Sequence, residues 1–109
     1  MKVNEIAKLE TLQQLNNVDL SNEIEGVYIG DLLSFVMANG KEGCLWLTVQ
    51  KSINVIAVAE LNDFAAIIFV QGSAPDEPTL NKANELGIPL FITKEDAYEM
   101  AKKLSEMGL

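Results

Sequence analysis

The amino-acid sequence predicts an α/β fold, with a mainly parallel sheet sandwiched by helices in three layers (α/β/α). Three observations point there. Ala66–Val70 is wholly apolar, so both of its faces must be covered, as in an inner strand with helices on each side. Cys44–Val49 (CLWLTV) reads the same way. From Ile24 onward, strand-like and helix-like stretches alternate, which implies right-handed crossovers between parallel strands.

The elements follow in order. Met1–Glu10 carries Val3, Ile6, Ala7 and Leu9, the pattern of a short amphipathic helix. Leu12–Leu15 reads as a short edge strand, and Asn16-Asn17 as a turn, since Asn side chains bond the local backbone. Ile24–Ile29 is a strand closed by Gly30-Asp31. Leu32–Asn39 is a helix whose apolar residues cover most of its circumference, so it is buried by the sheet or by a second subunit. Asn39-Gly40 stops it, and Cys44–Val49 is the next strand. Ser52 is the expected N-cap of a helix over Ile53–Leu61. That segment is rich in Val and Ile, but two parallel strands need a crossover between them, and Val55, Ile56 and Ala59 form a helical stripe.

After Ala66–Val70 comes a turn at Gln71-Gly72-Ser73. Asp76 is positioned to cap a helix over Glu77–Leu86, with Pro78 in its first turn and Gly87 as its left-handed end. Ile88–Ile92 is a strand. Thr93 is the expected cap of the last helix, with Asp96 three residues on. Ala97, Met100, Ala101, Leu104 and Met107 make one stripe of that helix. No linker or repeat interrupts the chain, so residues 1–109 are expected to form one domain.

Composition excludes several functions. The net charge is −8 and the pI about 4.3, which argues against nucleic acid and against an anionic membrane surface. There is no arginine and no histidine. That removes the bidentate phosphate fork, the usual general base near neutral pH and the commonest metal ligand. One cysteine, Cys44, cannot form an internal disulfide, which fits a reducing, cytoplasmic setting. Met1–Glu10 lacks the apolar run of a signal peptide, and no apolar stretch reaches the roughly 20 residues of a membrane helix. No G-x-x-x-x-G-K-[ST] loop is present.

Three groups of residues are candidates for a site. The first is a shallow pocket at the strand C-terminal ends, formed by Gly30, Asp31, Lys51, Ser52, Asn54, Gln71, Gly72 and Ser73. Helix N-termini there can hold a small anionic ligand, with Lys51 adding a cation. The plainer reading is ordinary turns and caps. The second is an acidic metal site from Asp31, Asp63, Asp76 or Glu77; without EF-hand spacing these read as solvated side chains, and no metal or cofactor is assigned. The third is a homodimer surface formed by Phe35, Val36, Met37 and Trp46, residue types suited to interface cores, against plain intramolecular burial. Cys44, Ser34, Ser52 and Ser73 have no histidine to activate them, so no catalytic residue is assigned.

The run VYIGDLLSFVMANGKEGCLWLTVQKSINVIAVAELNDFAAIIFVQG, followed by P-D-E-x-T-x-x-K-A-N-E-x-G-I-P-L, resembles stand-alone DRTGG-domain proteins over roughly residues 24–105. Such domains occur alone, in some phosphotransacetylases and beside CBS domains, and their fold is similar to the N-terminal domain of HPr kinase/phosphorylase. The resemblance implies a regulatory or assembly role, with chemistry left to other domains. This chain departs from the naming motif: it lacks arginine, and Val70-Gln71-Gly72 stands where relatives read Thr-Gly-Gly. The expected function is a non-catalytic module that self-associates and acts through protein partners. The alternative is a sensor for a nucleotide or phosphorylated metabolite at the strand ends.

Overall fold

A computed structural model describes Met1–Leu109. The elements are α1 (Val3–Ile6), β1 (Gln13–Gln14), β2 (Gly26–Ile29), α2 (Leu33–Asn39), β3 (Cys44–Thr48), α3 (Asn54–Leu61), β4 (Ala66–Phe69), α4 (Glu77–Leu86), β5 (Leu90–Ile92) and α5 (Ala97–Glu106). They form one five-stranded sheet in the order β1-β5-β4-β3-β2. Strands β2 to β5 are parallel, and β1 lies antiparallel against β5.

Strands β2 to β5 are laid down side by side in sequence order. Right-handed crossovers between them therefore carry α2, α3 and α4 to the same face. The opposite face is covered by α1 and α5. Each inner strand divides its side chains between two cores. Leu45, Leu47 and Ile68 join Val3, Ile6, Phe91, Met100 and Leu104 on the α1/α5 side. Trp46, Ile67 and Phe69 join Val36, Val55, Ile56, Ala83 and Leu90 on the other. This two-sided burial is why β3 and β4 are almost wholly apolar. No helix is long and apolar enough to cross a membrane.

Several local expectations change. The first helix shortens to Val3–Ile6, because Leu9 and Leu12 donate in tight turns to the carbonyls of Ile6 and Leu9. The first strand keeps only Gln13 and Gln14. Asn16 does not spend its side chain on a local turn. Its Nδ2 donates to the Ile88 carbonyl at 2.8 Å and its Oδ1 accepts from the Leu90 N–H at 2.9 Å. The buried amide thus continues the pairing of β5 where the β1 main chain leaves it.

Ser52 does not cap α3. Its carbonyl accepts from Val55, and the helix starts from Ile53 with no side-chain cap. Thr93 does not cap α5. Its hydroxyl accepts from Glu95 N–H, while Asp96 caps the helix in a reciprocal box with Glu99. Asp76 and Gly87 take the places given by the sequence, the latter with φ of 71°. Val36 and Trp46, expected at a dimer surface, are fully buried within the chain. Trp46 packs edge-on against Phe64, with ring centroids 5.6 Å apart, and its indole N–H donates to the Gly30 carbonyl at 2.9 Å.

Candidate functional site

Parallel pairing brings the loops after β2, β3, β4 and β5 to one rim of the sheet. All eight residues expected to bind a ligand lie on or beside this rim. Many of their polar groups hold neighbouring loops to one another. The Asp31 carboxylate accepts from the Thr48 hydroxyl at 2.8 Å and from the Val49 N–H at 2.9 Å, while Gln50 Nε2 donates to the Asp31 carbonyl at 2.8 Å. Ser73 donates from Oγ to the Val49 carbonyl at 2.7 Å. Gln71 N–H and Gly72 N–H donate to the carbonyls of Glu95 and Thr93, each at 2.8 Å. The Thr79 hydroxyl donates to the Lys51 carbonyl at 3.1 Å, tying α4 to the β3–α3 loop.

Hydrogen bonds therefore tie each of these loops to its neighbour along the rim. No cavity opens at Gly30, Asp31, Lys51, Ser52, Asn54, Gln71 or Ser73. The first turns of α4 and α5 are already served by Asp76 and Asp96. The α3 start alone combines a helix of eight residues with no side-chain cap. Asp76 is held below the ordinary aspartate value of 3.8, chiefly by the Thr79 hydroxyl and N–H, with the nearby Lys51 charge adding to them. Lys51, Ser52, Asn54 and Gln71 remain exposed.

Gly72 is the one expected site residue that borders a cavity. Its φ is 68°, and a Cβ there would meet nothing within 4 Å. The cavity has a volume of about 440 Å³ and lies along β5, also lined by Glu10, Thr11, Gln13, Ile92, Thr93, Lys94 and Glu95. The loops after β4 and β5 lead to helices on opposite faces, the usual place for a crevice in such sheets. Glu95 pairs with Lys103 Nζ at 2.7 Å, and Lys103 also donates to the Thr11 hydroxyl at 3.2 Å. Lys103, then Thr11, hold the Glu95 carboxyl below its ordinary value despite opposing burial.

The largest cavity, about 600 Å³, is at the other end of the strands. It is lined by Glu23, Glu25, Glu42 and Asp63. No three acidic, Cys or His side chains gather closely enough anywhere to hold a metal ion. Asp31 and Asp76 lie at the rim, while Asp63 lies at the opposite end.

Four of the nine large apolar side chains left exposed lie between Ile29 and Met37, beside the β2 edge, while Tyr98 on α5 and Leu61 on α3 are the most exposed singly. Leu32 and Phe35 are 61% and 64% exposed, and Ile29 and Met37 about half exposed. Helix α2 carries two apolar stripes. Leu33 and Val36 face the core, and Leu32 and Phe35 face out. The signal was present in the sequence as a helix apolar all round, but the choice of outward stripe depends on where α3 packs.

The DRTGG domain family model matches residues 14–107. Among solved structures, the chain is similar to the crystal structure of the CBS and DRTGG domains of the regulatory region of Clostridium perfringens pyrophosphatase complexed with activator, diadenosine tetraphosphate. The TM-score is 0.70 at 12% identity, over 92% of this chain and 44% of that one. The likeness is one of fold, and this chain spans less than half the length of that neighbour. No curated protein matches.

Proposed function

The chain belongs to the DRTGG-domain family, and from that premise we propose that it is a non-catalytic regulatory or assembly module, one unit over residues 1–109. It works in the cytoplasm, self-associates and acts through protein partners. The observation that carries this reading is the group of large apolar side chains, Ile29, Leu32, Phe35 and Met37, left in water beside the β2 edge. Large apolar side chains grouped on one part of a surface mark interaction sites. The rim supports the same reading where the side chains of Asp31, Thr48, Gln50 and Ser73 are engaged in holding its loops.

Light scattering at micromolar concentration tests it. The expected mass is twice 11.9 kDa. A single species of monomer mass would overturn self-association.

A second reading is favoured by the activator-bound pyrophosphatase regulatory region. In it this chain senses a nucleotide or phosphorylated metabolite at the rim, with Lys51, Ser52, Asn54 and Gln71 offering their free side chains and Gly72 bordering the cavity. A ligand at about 100 times its dissociation constant adds roughly 2.7 kcal/mol of stability, a shift of several degrees in a domain this size. Lys51→Glu is the informative variant, because Gly72→Val at a φ of 68° strains the backbone whatever binds there. A saturable shift lost in Lys51→Glu supports the sensor; no shift across a nucleotide panel removes it.

A further inference from the structure

Resting on the self-associating reading, we propose that two copies of this chain join edge to edge through β2, which pairs antiparallel with its own copy so that one continuous sheet runs through the dimer. The unmet hydrogen bonds on β2 are one ground. Ile29 lies opposite Leu47 in the ladder, yet it is Gly30 N–H that donates to the Leu47 carbonyl. In a parallel ladder this directs the N–H and C=O of Ile29 away from the sheet, and by alternation those of Val27 too. Nothing in the chain covers them with a further strand. The stretch has no proline, no lysine and no inward-pointing charge, the devices that usually guard an edge.

Charge selects the occupant. Each copy carries a net charge of −8, so two copies repel unless they meet where charge is absent. Residues 26–40 hold one ionisable acidic or basic side chain, Asp31, in a chain with 24, and Glu25, Lys41 and Glu42 border this stretch at its other end. That carboxylate is turned onto Thr48 and Val49. A basic partner protein would instead be drawn to the acidic end of the strands.

The sequence of the edge is also self-complementary. Antiparallel pairing through the outward groups of Val27 and Ile29 sets Val27 opposite the partner's Ile29. It centres the two-fold axis on Tyr28, which meets the partner's Tyr28 as a non-hydrogen-bonded pair. Tyr28 packs on the same face as α2. The exposed Leu32 and Phe35 of both copies then flank the junction, which gives the short strand pairing an apolar cover.

Oxidation of Tyr28→Cys tests the register. Cα atoms in a non-hydrogen-bonded pair lie about 4.5 Å apart, within disulfide reach. A covalent dimer is expected as the main product. Wild type, whose only thiol, Cys44, is buried, and Tyr98→Cys on α5 should stay uncrosslinked. Hydrogen exchange on the unaltered protein gives an independent readout. The amides of Val27 and Ile29 should slow at least tenfold between dilute and concentrated solution. A dimer without the crosslink and without that protection overturns edge pairing and leaves self-association standing. A monomer at every concentration overturns both, and protection gained only on adding another protein's extended segment gives the edge to that partner.

Discussion

The two edges of the sheet are finished in opposite ways. At one, β5 is met by two residues of β1, by the Leu15 N–H, which donates to the Leu90 carbonyl, and then by the Asn16 side chain, which supplies a further donor and acceptor. Gln13 and Gln14 are exposed and polar on the far side. At the other edge, β2 is twice as long, carries Ile29 half exposed, and runs into a helix whose outer stripe is apolar. A short polar edge ends a sheet, whereas a longer apolar one invites another strand. That contrast is the ground on which the β2 edge is proposed as the self-associating one.

The largest effect should come from unmaking the finished edge. Asn16→Ala leaves the Leu90 N–H and the Ile88 carbonyl buried without partners, at about 1–3 kcal/mol for each group. A loss of about 3 kcal/mol in urea unfolding is expected. A loss below about 1 kcal/mol would mean that water replaces the amide and that this edge is less closed than described.

The next should appear at the open edge, and in association rather than folding. Phe35→Ser removes a side chain whose full burial is worth roughly 1.5–3 kcal/mol. The dimer should weaken at least tenfold by analytical ultracentrifugation. Unfolding of the monomer should shift by no more than about 0.5 kcal/mol, as for an ordinary surface change. Equal losses in both measurements would show that Phe35 belongs to the fold.

A smaller change sharpens the role of α2. Asn62 Nδ2 donates to the carbonyls of Met37 and Gly40, at 3.0 and 2.9 Å, and so fixes the end of that helix. Asn62→Ala should cost about 1–2 kcal/mol of stability. It should also speed hydrogen exchange at the end of α2 while leaving α4 unchanged.

The smallest effect belongs to the Glu95–Lys103 pair near the β1 edge. Because Glu95 has a lowered folded-state pKa, its contribution is present above the ordinary value of 4.5 and is lost as pH falls below it. The pair is partly exposed, so the change should be about 1 kcal/mol or less. Lys103→Met should flatten this acid limb in thermal unfolding followed from pH 6 to pH 3; an unchanged limb would assign it to other carboxylates.

The fold was legible because its signals are local or periodic. The apolar run at β4, the Asp76 cap and Gly87 each declare themselves within a few residues. What stayed hidden depends on distant partners. Asn16 looks like a turn residue until Ile88 and Leu90, more than seventy positions away, arrive beside it. Thr93 and Asp96 both suit a helix cap, and the choice depends on how the chain leaves β5. Trp46 has the composition of an interface residue, but the Gly30 carbonyl and Phe64 claim it for the interior. The eight candidate residues fall at the strand ends, but a cavity borders Gly72 alone among them. The hydrogen bonds along the rim were not visible, because each joins loops separated by a whole helix.

The order β1-β5-β4-β3-β2 also has a consequence in time. From β2 to β5 each strand pairs with the one made just before it, so a lengthening chain can add them one after another. The N-terminal lead-in cannot join this progression. Gln13 pairs with Ile92, and Val3 and Ile6 share their core with Met100 and Leu104. The lead-in, made before any of these strands, is thus the last to be seated, and until α5 arrives the α1/α5 face of the growing sheet has no lid. Closing such a long loop is slow compared with pairing neighbours. Docking of α1 and β1 against α5 and β5 is therefore the step expected to complete the fold.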